Sequence, residues 1–320
     1  MGIVREPLRP YRWVDMTKDN EVGMEDVRGR SAFITGGGSG IGLSIALAFA
    51  RAGARVMIAD LRQDNLDAAE ASFADAGLDA PTIGLLDVSD RAAFPAIADR
   101  AQAAIGRIDI LVCNAGVGIN GPIAEATFAD WDFGVGVNLG GTINTLQTFL
   151  PAMIADGRGG HVVITASQAG LAPAPRNAAI YGMTKAGLIA LCEGMRDEMA
   201  DHGIGVSAFI PGFYRTAITG TSRYRPERFR AGSGYNAREA EASDMPESPL
   251  FHDLAEAGDK VLDGVRCNAL WIPTHGELKG WTEGRFERIL AAYPPAKDAA
   301  LARAAGKQRP PNPFAIRAEN

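Results

Sequence analysis

From residue 31 the chain alternates short apolar runs with segments of helical period, and the first run breaks into a cluster of glycines. Ser31-Ala32-Phe33-Ile34-Thr35 reads as a strand, and Gly36-Gly37-Gly38-Ser39-Gly40-Ile41-Gly42 as a sharp turn opening a helix. That helix spans about 41–52, with Ile41, Ile45, Leu47, Ala48 and Ala52 near helical spacing and Gly53 as its stop. The rhythm continues with a strand at 55–59, a helix over 63–77, a strand at 82–86 and a helix over 89–105 with Ser89 as N-cap. A strand at 108–112 precedes two longer helices, 127–156 and 180–202, which enclose a strand at 160–165. Strands at 205–210 and 269–272 and a helix at 278–293 complete the pattern. Strand and helix in alternation imply an α/β fold with a doubly wound parallel sheet, the Rossmann type. The strands are apolar without strict alternation, as expected when helices cover both faces.

No linker divides residues 30–294, so we expect a single domain there. Residues 1–29 form an irregular arm that Tyr11 and Trp13 either anchor or leave free. Residues 217–250 break the rhythm and read as a lid insertion. Its aromatic residues Tyr224, Phe229 and Tyr235, with Phe213 and Tyr214 before it, either wall a substrate pocket or pack the lid onto the body. Residues 295–320, with Pro310-Pro311-Asn312-Pro313, read as an extended tail.

Charge bounds the partners. With 32 basic and 38 acidic residues the net charge is −6, which disfavours nucleic acid and anionic membrane. The Arg223, Arg225, Arg228, Arg230 stretch is either a solvated loop or a phosphate patch, with the acidic neighbours Glu239, Glu241 and Asp244 favouring the loop. Cys113, Cys192 and Cys267 lack metal-ligand spacing and read as structural thiols, so no metal is expected. With no run of 18 apolar residues and no apolar signal core at Met1 to Pro7, a cytoplasmic enzyme is expected.

Three groups carry chemistry. A glycine turn at a helix N-terminus brings free N–H groups and a favourable dipole close to a phosphate, though such a turn also occurs without a ligand. Asp60, ending the second strand 20 residues after Gly40, suits the ribose hydroxyls of an adenosine and repels a 2′-phosphate. This favours NAD over NADP, and nearby Arg62 weakens the preference; the other reading of Asp60 is a helix cap. Tyr181 and Lys185 lie four residues apart, on one helix face. An ammonium and a cationic nicotinamide beside a phenol lower its pKa, allowing proton transfer near neutral pH. Ser167 follows a strand end, where such sheets place ligands, and its hydroxyl could hold a substrate oxygen.

Together these residues resemble the short-chain dehydrogenase/reductase family in its classical form, over roughly residues 30–275. Thr35, Gly36, Gly40 and Gly42 match its TGxxxGxG motif, with Ser39 and Ile41 inside it. Asp87-Val88, beside the adenine, and Asn114-Ala115-Gly116 match two further cofactor motifs, and Leu61 is expected at the cofactor next to Asp60. Pro211-Gly212 matches the PG motif at the nicotinamide, and Thr216 the threonine that binds its carboxamide. Tyr214 stands where the family's PGxVxT pattern has valine, so its ring is expected at the substrate or cofactor.

The resemblance implies Tyr181 as general acid/base, Lys185 lowering its pKa and binding the nicotinamide ribose, Ser167 orienting the substrate oxygen, and Asn138 holding a relay water through its helix backbone. Gln168 and Phe213 are further candidates for substrate contact. Residues 219–226 and 267–273 more weakly resemble bacterial Cα-dehydrogenases that oxidise benzylic alcohols of lignin-derived aryl ethers. Family resemblance further implies a homo-oligomer that pairs the two long helices across a two-fold axis.

The expected function is NAD-dependent hydride transfer between nicotinamide and a small secondary alcohol or ketone. An NADPH-dependent carbonyl reductase is the nearest alternative, and a non-catalytic dinucleotide-binding regulator the alternative from another class.

Overall fold

The computed structural model describes residues 24–235, 248–296 and 298. Tyr11, Trp13 and most of the expected arm, the middle of the expected lid (236–247) and nearly all of the expected tail lie outside the described residues.

Seven strands form one parallel sheet: β1 (Ser31–Thr35), β2 (Arg55–Asp60), β3 (Thr82–Leu85), β4 (Ile110–Cys113), β5 (Gly160–Thr165), β6 (Ile204–Ile210) and β7 (Trp271–Pro273). Their spatial order is β3-β2-β1-β4-β5-β6-β7, so the winding reverses direction beside β1 and leaves a crevice between β1 and β4. Every residue of β1, β4, β5 and β6 is buried, which explains why their sequences are mainly apolar without strict alternation.

Helices cover both faces. On one side lie α1 (Gly40–Arg51), α2 (Gln63–Asp75) and α9 (Ala255–Arg266). Ala32, Ile34, Ile58, Val112 and Val163 pack against their Ile45, Leu66 and Val261. On the other lie α3 (Phe94–Ile105), α4 (Phe128–Val135), α5 (Gly141–Asp156) and α7 (Ala179–Ala200), with Phe33, Met57, Leu111 and Val162 meeting Ile97, Phe149 and Leu188. Successive residues of β1 point to opposite cores, as a pleated strand requires. Short helices α6 (Gln168–Leu171) and α8 (Glu227–Arg230), and α10 (Lys279–Ala291) after the sheet, complete the set.

Several boundaries differ from expectation. α3 starts at Phe94, after a 3-10 turn at Arg91–Ala93 that Asp90 caps by accepting from the Ala92 N–H at 3.0 Å. Ser89 is not the N-cap: its N–H and hydroxyl both donate to Asp87. The expected helix 127–156 is interrupted by a π-helical turn at Gly136–Gly140. α9 was not anticipated, although Ala257, Val261, Leu262 and Val265 carry its buried stripe. It lies so close to α1 that a Cβ on Gly258 would come within 2.2 Å of the Ser44 carbonyl oxygen.

Neither reading of the arginine stretch describes Arg225, which is 1% exposed. Its Nη1 donates to Asp130 on α4 at 2.8 Å, and its guanidinium lies 4.4 Å from the Phe133 ring centre. Asp130 also accepts from the Ser233 hydroxyl at 2.5 Å and from the Gly234 and Thr127 N–H groups, each at 2.9 Å. Burial pushes its carboxyl pKa up, but these bonds prevail and hold it down at about 2. Tyr235 donates its hydroxyl to the Gly121 and Pro122 carbonyls, and Phe229 packs on Phe133. These two lid aromatics fasten the lid to the body rather than wall a pocket.

Asp130→Ala should lower the unfolding free energy by about 3–5 kcal/mol in a denaturant titration, because it strands a buried guanidinium. The depressed Asp130 pKa contributes stability that is fully present above about pH 4 and is lost as the pH falls through about 2. Acid unfolding of the wild type should show this loss, and Asp130→Asn should remove that part of the pH dependence.

Candidate active site

A cavity of about 360 Å³ opens along the C-terminal ends of β1, β2, β4 and β5. All the residues expected at the cofactor, from Gly36 to Thr216, line it. At one end the β1–α1 turn uses left-handed backbone at Gly36 (φ +62°) and Gly40 (φ +52°), conformations that favour glycine. A Cβ on Gly42 would lie 2.0 Å from the Gly36 carbonyl oxygen, so the turn can close only around glycine there. No side chain caps the N-terminus of α1, leaving backbone N–H groups for an anion. These features fit the pyrophosphate of a dinucleotide.

Asp60 is 8% exposed at the end of β2. It accepts from the Gly38 and Arg62 N–H groups, each at 3.1 Å, and from Asn65 Nδ2 at 3.0 Å. Asp60 thus organises the turn as well as facing the cavity. The Arg62 guanidinium turns to Asp64, donating from Nε at 2.8 Å, and stacks on the Tyr224 ring.

Asn114 ties three strands together. Its Nδ2 donates to the Thr35 and Gly36 carbonyls, each at 3.1 Å, and its Oδ1 accepts from the Thr165 hydroxyl at 3.1 Å. The Thr165 carbonyl accepts in turn from Lys185 Nζ at 2.8 Å. Lys185 is 3% exposed, and burial brings its pKa down to about 8. Its Nζ stands 5.7 Å from the Tyr181 ring centre. Burial raises the Tyr181 pKa, with a Ser167 hydrogen bond pulling it down. Of these two effects burial is the larger.

Asn138 stands behind this group, in the π-helical turn, and does not line the cavity. Its Oδ1 accepts from the Val117 N–H at 2.8 Å, and its Nδ2 donates to the Val117 carbonyl and the Thr184 hydroxyl. Its side chain is thus spent on holding the β4 loop against α7.

Two expected substrate contacts do not reach the cavity. Gln168 donates from Nε2 to the Thr282 hydroxyl at 3.0 Å, pinning α6 to α10. Phe213 packs edge-on against Phe251, His275 and Trp281. Tyr214 lines the cavity, but its ring is 3% exposed and lies edge-on to His275 and His252, on the side of the second core. The stacked His252 and His275 rings form the surface on which the Tyr214 ring packs. Tyr224 lines the cavity, as the pocket-wall reading of the lid aromatics expects, whereas sequence reasoning missed Phe133, Val137, Ile218, Thr221 and Pro226 on the same wall. Phe133 and Val137 sit on a helix face that periodicity could have assigned inward; the lid residues carry no such period.

Residues 30–227 match the family model described as short chain dehydrogenase. The chain belongs to the short-chain dehydrogenase family and is an oxidoreductase. It is 37% identical over 275 residues to the C alpha-dehydrogenase of Sphingobium sp. (strain NBRC 103272 / SYK-6), covering 85% of this chain and 89% of that one. It is 42% identical to the sorbitol dehydrogenase of Cereibacter sphaeroides over 58% of this chain and 70% of that one. Among solved structures, a short chain dehydrogenase/reductase from Burkholderia phymatum in complex with NAD superposes with a TM-score of 0.77 at 28% identity, covering 86% and 99% of the two chains. The apo form of LigO from Sphingobium sp. strain SYK-6 gives a TM-score of 0.70 at 34% identity, covering 90% and 100%.

Asn138→Ala should lower the stability of the fold by about 1–3 kcal/mol, since it orphans the Val117 N–H and removes the donor to the buried Thr184 hydroxyl, which keeps its own bond to the Tyr181 carbonyl. The shift in the denaturation midpoint measures it.

Proposed function

We propose that this chain is an NAD-dependent dehydrogenase of small secondary alcohols and the corresponding ketones. The observation that carries the cofactor preference is the pairing of Asp60 with an engaged Arg62. A carboxylate at the end of β2 can accept ribose hydroxyls and repels a 2′-phosphate. The nearest cation, Arg62, is already committed to Asp64 and Tyr224, which argues against an NADPH-dependent reductase. The convergence of Ser167, Tyr181 and Lys185 on one cavity argues against a purely regulatory dinucleotide-binding protein.

In oxidation, the Ser167 hydroxyl orients the alcohol oxygen and the Tyr181 phenolate takes its proton; in reduction the phenol returns it. A nicotinamide held in this cavity would supply the hydride acceptor for oxidation and the hydride donor for reduction. Lys185, fixed by the Thr165 carbonyl, holds a positive charge near the phenol and reaches the ribose side of the cavity. The Asn138 side chain keeps the β4 loop and α7 in register, and its helix backbone is the part that would hold a relay water. The 37% identity to a C alpha-dehydrogenase supports a benzylic or other aromatic alcohol as one substrate class to test.

Exposed apolar residues on the two long helices, Phe128, Val135, Ile143 and Met183, support a homodimer or homotetramer. Light scattering at micromolar concentration should give a mass well above that of one chain, and a monomer mass overturns the oligomer.

Turnover should appear in an NADH-fluorescence screen of secondary alcohols that includes arylglycerol ethers, hydroxysteroids and aliphatics. Tyr181→Phe should lower kcat by about 10²–10⁴-fold while NADH still binds. Near-normal turnover in that variant sinks the mechanism. Burial holds Tyr181 above its ordinary pKa, so oxidation should quicken and reduction slow as pH rises and the phenolate becomes populated. In NADH and NADPH binding titrations, Asp60→Ala should narrow the preference by about tenfold or more.

A further inference from the structure

The segment after Thr216 runs along the outer side of the cavity and touches the opposite wall at three points. Near its start the Gly118 N–H donates to the Thr221 hydroxyl at 2.9 Å. Further on, the Tyr224 ring covers the Arg62 guanidinium at 3.6 Å from its centre. At the far end Arg228 Nη2 donates to Asp87 Oδ2 at 2.6 Å and to the Ser89 hydroxyl at 2.7 Å. Asp60, Arg62, Asp87, Tyr224 and Pro226 all line the same cavity, so the last two contacts straddle the end where Asp60 receives a ribose. Between them the backbone is fixed by Arg225, whose buried pairing with Asp130 leaves Tyr224 and Arg228 on either side of an immobile point.

From this arrangement we propose that Arg62, Tyr224 and Arg228 form a clasp over the adenosine half of the cofactor and limit the rate at which it leaves. The inference rests on the dinucleotide reading given above. Because Arg225 and Tyr235 root the segment in the body, opening does not require the whole lid to swing. Parting two surface contacts, one cation–π stack and one ion pair, is sufficient. Tyr224 is 45% exposed, and the Arg228 side chain is 48% exposed. Both can therefore move into solvent without disturbing the core. Asp87 takes part from the body side: burial raises its carboxyl pKa, but bonds from Ser89 and Arg228 outweigh this and keep it charged. These are positioning residues for the cofactor, separate from the proton-transfer group at Tyr181.

The test is stopped-flow measurement of NADH release from the full chain, with tryptophan-to-NADH energy transfer as the signal. Tyr224→Ala and Arg228→Ala should each raise the dissociation rate by about fivefold, and the double variant by about twentyfold. Tyr224→Phe keeps the ring and should release NADH at close to the wild-type rate; Arg228→Lys keeps the charge and should recover most of the loss. Added salt should speed release from the wild type and have much less effect on Arg228→Ala, because the ion pair is screened. Heat-denaturation midpoints close to wild type in all four single variants exclude a general loosening of the fold. A double variant that holds NADH as long as the wild type overturns the clasp, as does a Tyr224→Phe that behaves like Tyr224→Ala. If the wild type binds neither NADH nor NADPH, the dinucleotide reading itself fails, and the clasp with it.

Discussion

The carboxamide of Asn114 is the tie on which both ends of the site depend. Parallel strands end with unpaired backbone groups, and β1, β4 and β5 end side by side around the crevice. Asn114 joins the Thr35 and Gly36 carbonyls to the Thr165 hydroxyl, and the Thr165 carbonyl holds Lys185. One line of hydrogen bonds thus runs from the glycine turn to the buried ammonium. A shift in the turn is transmitted to Lys185, so the cofactor end and the proton-transfer end are built as one unit. Burial then sets the chemistry: it lowers Lys185 to about 8 and raises Tyr181, separating two groups whose proton affinities nearly coincide in water, so that the phenol holds its proton more tightly than the ammonium does.

The second organising element is the buried Arg225–Asp130 pair. A guanidinium and a carboxylate removed from water are costly unless every polar atom finds a partner. Asp130 meets that condition with Ser233, Gly234 and Thr127. The result is a segment that would be an irregular insertion by composition but is fastened to α4 as firmly as a core element. Its outer surface then carries Tyr224 and Arg228 to fixed places over the cavity.

The repeating strands and helices were legible because burial on both faces leaves long apolar runs, and the cofactor residues because they fall at strand ends. Ser167, Tyr181 and Lys185 were legible as a group, although no one of them was diagnostic. The fate of Gln168, Phe213 and Arg225 was not legible. Each makes its defining contact with a residue between 68 and 114 positions away, or with a helix whose docking no local pattern announces. Ser89 misled for a related reason: it has the chemistry of a cap, but Asp87, two residues earlier, takes its hydroxyl. The α9 helix shows the opposite case, a clear period overshadowed by the irregular sequence before it.

The π-helical turn at Gly136–Gly140 has a further consequence. A π turn holds one residue more than an α turn, and each residue of an α-helix advances the side chains by about 100°. α4 and α5 form one continuous rod, yet they are out of phase with each other by that amount. α4 can aim Asp130 and Phe133 at the lid while α5 keeps Phe149 and Met153 on the sheet. Asn138 sits at the seam between the two phases. A deletion of a single residue there would lengthen the regular helix and break the protein's aim, turning one half of the rod away from its partner. Length in this stretch is therefore as strict a requirement as residue identity.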